Sequence, residues 1–258
     1  MNNNKLKLNS DKTHLMLLGT DYAWKKKLTP NSLSLDTGQE VIRTTSCEQL
    51  LGGFIAQNLK WTNHILLNQK SLVKQLGTRL NALKKISRVA DFKTRKMLAD
   101  RLFMSKLVYL IPLWGGCEKF LIKALQMIQN KAARTVCKLG IFTPIKTLLR
   151  HCGWLSVNQL VFYHTVILLF KTLANQTPKY LYEMTSTELH YPARAENPGK
   201  LRVVAEYLPE QGLNYRSYKW RSTRSWNQLP PDIRTTTNLI QFKVKLKAWV
   251  LQNIDINP

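Results

Sequence analysis

Nucleotidyl transfer, hydrolysis and redox chemistry need carboxylates, imidazoles or thiols at workable spacings, and this sequence of 258 residues offers few. Its fifteen acidic residues are scattered, and no Asp-Asp pair exists that could hold two magnesium ions. There is no GxxxxGK[ST] or GxGxxG phosphate loop, no HExxH and no GxSxG. His14, His64, His151, His164 and His190 each stand alone and read as core or surface residues. Cys47, Cys117, Cys137 and Cys152 show neither CxxC nor zinc-finger spacing, so reduced thiols in an intracellular protein are expected. What the sequence does supply is cations: 39 Lys and Arg against 15 Asp and Glu, a net charge of +24. An excess of this size points to a polyanionic partner, nucleic acid first and an anionic membrane surface second.

The elements that must position those cations are helical. At the centre, Met97 to Leu139 reads as two apolar-faced helices around a break at Ile111-Pro112-Leu113-Trp114-Gly115-Gly116, where proline cannot continue a helix and the glycines permit reversal. The second helix carries Leu121, Leu125, Ile128, Ala132, Val136 and Leu139 on one face, and Lys119, Lys123, Lys131, Arg134 and Lys138 on the other. Gly140 is the expected residue after its end. Before it, a helical period runs from Trp61 through Ile65, Leu72, Leu76, Leu80 and Leu83. Lys70, Lys74, Arg79, Lys84, Lys85 and Arg88 surround that stripe with no acid before Asp91. A helix that needed only solubility would mix signs for i,i+4 support, so these cations are candidates for binding. A third block covers Asp91 to Leu110.

After Gly140 a helix restarts at Thr143-Pro144 and runs to His151, with Gly153 as breaker. Ser156 is the expected N-cap of a helix reaching Leu173. The apolar run within it, Val157 to Phe170, includes Asn158, Gln159 and His164 and falls short of the ~20 residues of a membrane span, so it reads as a buried helix. The polar start MNNNKLKLNSDK is no signal peptide. The chain is therefore expected in the cytoplasm or nucleus, not secreted and not membrane-bound.

The first ~55 residues read as a small antiparallel sheet, with strands at His14–Leu18 and Glu40–Arg43, a loop or ragged hairpin over 20–39 and a glycine-containing run at Leu50 to Ile55. Residues 175–217, punctuated by Pro178, Pro192, Pro198, Pro209 and Gly212, read as an irregular connector with a short strand at Leu201 to Val204. Asn238, with Gln241 three residues on, starts a last helix whose apolar face is Leu239, Phe242, Leu246, Trp249 and Val250. The expected fold class is mainly α with a small N-terminal β portion.

Four stretches, in order, carry a resemblance. They are Leu6-Lys7-Leu8-Asn9-Ser10-Asp11-Lys12-Thr13; Leu51-Gly52-Gly53-Phe54-Ile55 with Leu59-Lys60-Trp61-Thr62-Asn63-His64-Ile65; Tyr109, Pro112, Trp114 and Gly115 with Leu125-Gln126-Met127-Ile128-Gln129-Asn130-Lys131-Ala132-Ala133-Arg134; and Arg224-Ser225-Trp226-Asn227-Gln228-Leu229-Pro230-Pro231-Asp232-Ile233-Arg234 with Phe242-Lys243. Together the sequence resembles the C-terminal part of reverse transcriptases from non-LTR (LINE-type, jockey-like) retrotransposons. The resemblance implies a palm remnant and primer-grip-like hairpin over 1–57 and a helical thumb and post-thumb region over 58–174. It further implies the irregular connector over 175–217 and a C-terminal WNxLP segment with its helix over 218–258. The family's YxDD acids would lie upstream of Met1, as would its endonuclease. Gly53 stands in place of the usual valine, and Ala56-Gln57-Asn58 lacks the usual aspartate.

The resemblance implies a copy truncated at its 5′ end, or a reading frame entered at an internal methionine. The parent activity is RNA-directed DNA polymerisation with magnesium, for which the ligands are absent here. No catalytic residue, metal or cofactor is expected of this chain. Lys12 matches the palm lysine near the incoming nucleotide, but without the carboxylates it reads as a solvated turn lysine. What remains is non-sequence-specific binding of RNA or an RNA–DNA duplex, through Lys70, Lys74, Lys84 and Lys85 on the first thumb-like helix and Lys131 and Arg134 on the second. Trp226 reads as core, with base stacking as the alternative. The competing expectations are a domesticated RNA- or DNA-binding protein and a non-functional transposon relic. A primer-extension assay on the purified chain with magnesium is expected to show no incorporation above background.

Overall fold

The computed structural model describes residues 9, 12–19, 33–36, 40–140, 142–186, 201 and 216–253, which divide between two units, Met1–Gln75 and Leu76–Pro258. In the first unit, β1 (Ser34–Asp36) pairs antiparallel with β2 (Val41–Arg43), Leu35 facing Ile42. A separate hairpin pairs β3 (Cys47–Leu50) with β4 (Gly53–Ala56). Leu51 (φ 48°) and Gly52 (φ 79°) turn it, the two left-handed residues that match the twist of the flanking strands.

The expected single sheet is thus two sheets of two strands. Of the expected loop or ragged hairpin over 20–39, the described part forms β1 and pairs with β2, while residues 20–32 and 37–39 lie outside the described residues, as does the Leu6–Leu8 stretch. The expected strand at His14–Leu18 is not formed. That segment bonds at two separated points, Thr45 N–H to the Leu15 carbonyl (2.8 Å) and Gly19 N–H to the Gln57 carbonyl (2.9 Å), so no ladder runs between them. Phe54, Ala56 and Ile65 are buried. His64 is a core histidine: its Nδ1 accepts the Phe54 N–H (3.3 Å), and the Trp61 ring stands edge-on to it.

The boundary between the units falls within α1 (Leu72–Ile86), whose Leu72, Leu76, Leu80 and Leu83 are buried as the stripe predicts. The second unit continues with α2 (Phe92–Leu98), a π-helical turn (Ala99–Met104) and α3 (Ser105–Val108). Asp91 caps α2 by accepting the Thr94 N–H (3.0 Å).

The break in the central hairpin is sharper than expected and begins one residue earlier. Leu110 is left-handed (φ 58°), and Pro112 sits in the first turn of a one-turn helix, α4 (Ile111–Trp114). Buried Trp114 fixes the corner by donating its indole N–H to the Tyr109 carbonyl (2.9 Å). Next, α5 (Lys119–Cys137) buries Leu121, Leu125, Ile128, Ala132 and Val136. It ends at left-handed Lys138 (φ 53°) rather than near Gly140, which leaves Leu139 off the helix and exposed.

Pro144 precedes α6 (Ile145–Cys152), and left-handed Gly153 (φ 64°) closes it. A capping box then starts α7 (Val157–Leu173): the Ser156 hydroxyl accepts the Gln159 N–H (3.3 Å), and the Gln159 side-chain oxygen accepts the Ser156 N–H (3.0 Å). The stretch expected to be irregular contains α8 (Lys179–Ser186), because Pro178 stands just ahead of a first turn and starts that helix instead of breaking one. Of the expected Leu201–Val204 strand only Leu201 is described. Asn227 holds its backbone from both sides, accepting the Leu201 N–H (2.9 Å) and donating to its carbonyl (2.7 Å). The tail holds α9 (Tyr218–Asn227), capped by Ser217, then α10 (Pro231–Arg234), then α11 (Leu239–Gln252), capped by Asn238 as expected.

The hub is α7, against which α4, α5, α8, α9 and α11 pack. Phe162, Val166, Leu169 and Phe170 are buried, Phe170 stacks on Phe242 at 4.2 Å and Trp226 lies 5.8 Å beyond. Trp226 is 3% exposed, so it is core and has no face for a base. No single helix among the described residues is long and apolar enough to cross a membrane. The pair α6 and α7 together have the composition, but they are bent by 42° and α7 is the core helix just described.

One junction binds the central corner to the tail. The buried Arg221 guanidinium donates to the Pro112 carbonyl (2.6 Å) and to the Arg216 carbonyl (3.2 Å). The approach is possible because Gly115 and Gly116 lack side chains: a Cβ on Gly116 would lie 2.3 Å from the Arg216 carbonyl oxygen, and one on Gly115 2.6 Å from the Val161 side chain. Gly77 on α1, by contrast, faces open space. Two glycine-to-alanine changes should therefore differ in sign under chemical denaturation: Gly116→Ala loses about 1–3 kcal/mol, and Gly77→Ala gains roughly 0.5–1 kcal/mol.

His164 on α7 gives the fold a pH dependence. Burial first, then the neighbouring Lys243 charge, hold its imidazole down at about 4, against 6.5 for a free histidine. Between those values the unfolded chain binds a proton that the folded chain does not. Stability should fall as pH drops from 6.5 towards 4, by at most about 1.4 kcal/mol per pH unit. Urea melts of wild type and His164→Gln at pH 7.5 and 5 test this, with a flatter profile expected for the variant.

Candidate nucleic-acid interface

Helix α5 carries the best-defined cationic surface. Opposite its buried stripe stand Lys119, Lys123, Lys131 and Lys138, all exposed, with half-buried Arg134 among them. At 1.5 Å rise per residue, the 19-residue helix spreads these charges along about 28 Å on one side. Exposed Phe120 and Met127 are apolar members of the same face. No acid occurs in the sequence from Lys119 to Tyr182 to neutralise it. Lys131 and Arg134 thus fall on one helix face one turn apart, as expected.

Lys84 and Lys85 are exposed in the last turn of α1, where cations also complement the helix dipole. Lys74 is exposed in the first turn of α1, and Lys70 is exposed in the preceding turn, its N–H bonded to Asn68 Oδ1 (2.9 Å). Lys70 and Lys74 belong to the first unit, whereas Lys84, Lys85, Lys131 and Arg134 belong to the second. Lys12 is exposed at a turn, its N–H held by Asn9.

A cluster outside the expected set lies at Arg79, Lys106 and Tyr109. Arg79 donates a guanidinium N–H to the Leu102 carbonyl. Partial burial, then the Arg79 charge, hold the Lys106 ammonium below the usual lysine range. Lys106 Nζ lies 5.4 Å from the centre of the Tyr109 ring, within cation–π reach. Two repelling cations beside an aromatic face make an arrangement that an anion would relieve. The i,i+3 spacing of Lys106 and Tyr109 was visible in the sequence, but the approach of Arg79 is tertiary.

Arginines elsewhere serve the fold. Arg95 donates to the Val136 carbonyl (2.8 Å) and the Ala90 carbonyl (2.6 Å). Arg216 pairs with Glu118 (2.7 Å). Burial raises the Cys117 thiol to about 12, and it pushes the Cys152 thiol well above its usual value too, so neither is poised as a nucleophile. Cys137 and Cys152 are free thiols with sulfurs 3.3 Å apart.

The magnesium ions of the resembled polymerases need convergent carboxylates. Among the described residues no three His, Cys, Asp or Glu side chains converge on a common point. No protein-family model, curated protein or solved structure matches the chain.

Proposed function

We propose that the chain is a nucleic-acid-binding module similar to the thumb and post-thumb region of a non-LTR retrotransposon reverse transcriptase. It holds RNA or an RNA–DNA duplex by the phosphate backbone, without sequence preference and without catalysis. The observation that carries this reading is the acid-free cationic side of α5, where exposed lysines recur at helical spacing. Phosphate contacts of this kind position a duplex but read no bases. The Lys106–Arg79 cluster adds a second phosphate contact on the same unit.

A second reading is a binding protein with no part in transposition. The core of the second unit favours it, since Leu121, Trp114, Phe162, Trp226 and Phe242 are buried among the unit's own residues.

Fluorescence anisotropy with a labelled RNA–DNA duplex over a salt series tests the proposal. Log affinity should fall linearly with log salt, by roughly 0.7–0.9 per phosphate contact. The triple change Lys119→Ala, Lys123→Ala, Lys131→Ala should flatten that slope by about two to three units without altering helical content. Tight binding that is indifferent to salt, or a slope unchanged in the triple variant, overturns it.

A further inference from the structure

Helix α11 is apolar on two opposite faces. One, with Phe242, Leu246 and Val250, is buried against α7. The other consists of Ile240, Val244, Ala248 and Leu251, spaced four, four and three residues apart, which places them within one narrow stripe. Ile240 is 74% exposed, Val244 66% and Leu251 44%. Among the described residues this stripe stays outside the core. Its C-terminal end runs into a cleft lined by Leu149, Trp154 and Leu251, with Lys146 and Arg150 also on its wall. Lys243 and Lys247 flank the stripe on one side, and on the other stands Lys245, whose ammonium donates to the Asp232 carbonyl (3.2 Å) and the Thr236 hydroxyl (3.3 Å). The sequence contains no acid from Ile233 to Ile254, nor any on α6 or α7.

From this surface we infer a protein-docking site for an acidic amphipathic helix. Its apolar residues lie along Ile240, Val244 and Ala248, one of its aliphatic or aromatic side chains enters the cleft beside Leu251, and its glutamates or aspartates meet the flanking lysines. The charge decides between occupants. A second copy of this chain would set lysine against lysine on both sides of the stripe. A phosphate backbone would meet the lysines but leave four aliphatic side chains in water. A lipid surface is flat, whereas this stripe ends in a concave cleft that takes a protruding side chain. The site is separate from the α5 face, so it adds a protein partner to a nucleic-acid-binding module.

The test uses the full chain and a fluorescent synthetic helix of about 18 residues, with leucines along one stripe and glutamates on both sides of it. A scrambled peptide of identical composition is the control. The helical peptide should bind at least about tenfold more tightly than the scrambled one. Val244→Asp and, separately, the milder Ile240→Ser should each weaken it by about tenfold or more, with circular dichroism and duplex affinity unchanged. Equal binding of the scrambled peptide shows charge attraction alone and overturns the proposal, as does peptide affinity unaffected by both variants. So do Val244-dependent capture on phosphatidylserine vesicles without peptide binding, and Val244-dependent dimerisation in sedimentation.

Discussion

A helix that is apolar on every side must be covered on every side, and α7 imposes that constraint on the second unit. Val157, Leu160, Val161, Phe162, Val166, Ile167, Leu169 and Phe170 point around the full circumference and are all buried. No single partner can enclose such a cylinder. Elements from before it (α4, α5) and after it (α8, α9, α11) do so together. That explains why the chain returns through a tail of short helices: α9 and α11 supply Trp226, Phe242 and Trp249, with Phe242 stacked between Trp226 and Phe170 and Trp249 tilted against Phe162. The ends are fixed by hydrogen bonds. Gln159 closes the capping box with its oxygen and, with its nitrogen, donates to the Val250 carbonyl (3.0 Å), so the start of α7 also holds the end of α11.

The corner at Leu110–Gly116 is the second fixed point, and it depends on size rather than on area. Trp114 fills the interior and locks to Tyr109, while the next two residues have no side chains because the Arg216–Arg221 backbone and guanidinium occupy that space. Arg221 is held by carbonyl oxygens and not by a carboxylate. A planar guanidinium with several donors can satisfy two peptide groups at once, which a lysine cannot do with the same geometry.

Much of the second unit was legible because its signals are local. The Ser156–Gln159 box, the Asn238 cap, the apolar stripe of α5 and the stop at Gly153 each depend on residues within one turn of each other. The misreadings have a common cause. Leu110 and Lys138 take left-handed backbone although a glycine stood nearby to attract the assignment, and the packing of Trp114 and Val136 sets where those helices stop. Prolines in the connector read as breakers, yet Pro178 precedes a helix. Of the cationic site, the faces of α1 and α5 could be read from spacing. The approach of Arg79 to Lys106 could not, because it depends on α1 meeting the π-helical turn that holds Leu102. The outer stripe of α11 escaped for a different reason: two apolar faces on one helix cancel in any pattern that seeks a single one.

The use of cations separates fold from surface. Among the described residues the buried cations are Arg95, Arg221 and Arg234, and no lysine is buried. Burial lowers the charged form's stability, and for Arg221 it brings the guanidinium down to about 10, still charged at neutral pH. A lysine lowered by a comparable amount would begin to lose its proton in the same range, so arginine is the cation that the interior tolerates. Its partners are peptide carbonyls: Val136 in the last turn of α5, Ala90 just before α2, and Pro112 within the corner. Peptide carbonyl oxygens carry partial negative charge and here take the guanidinium hydrogen bonds that a carboxylate would otherwise accept. The exposed lysines include Lys84 and Lys85 on α1, Lys119, Lys123 and Lys131 on α5 and Lys247 on α11. Those lysines repel one another in the free protein, a standing cost in stability that a polyanion or an acidic helix would remove on binding. Buried arginines thus hold backbone carbonyls, while the lysines among the described residues stay out of the core and keep the excess charge at the surface.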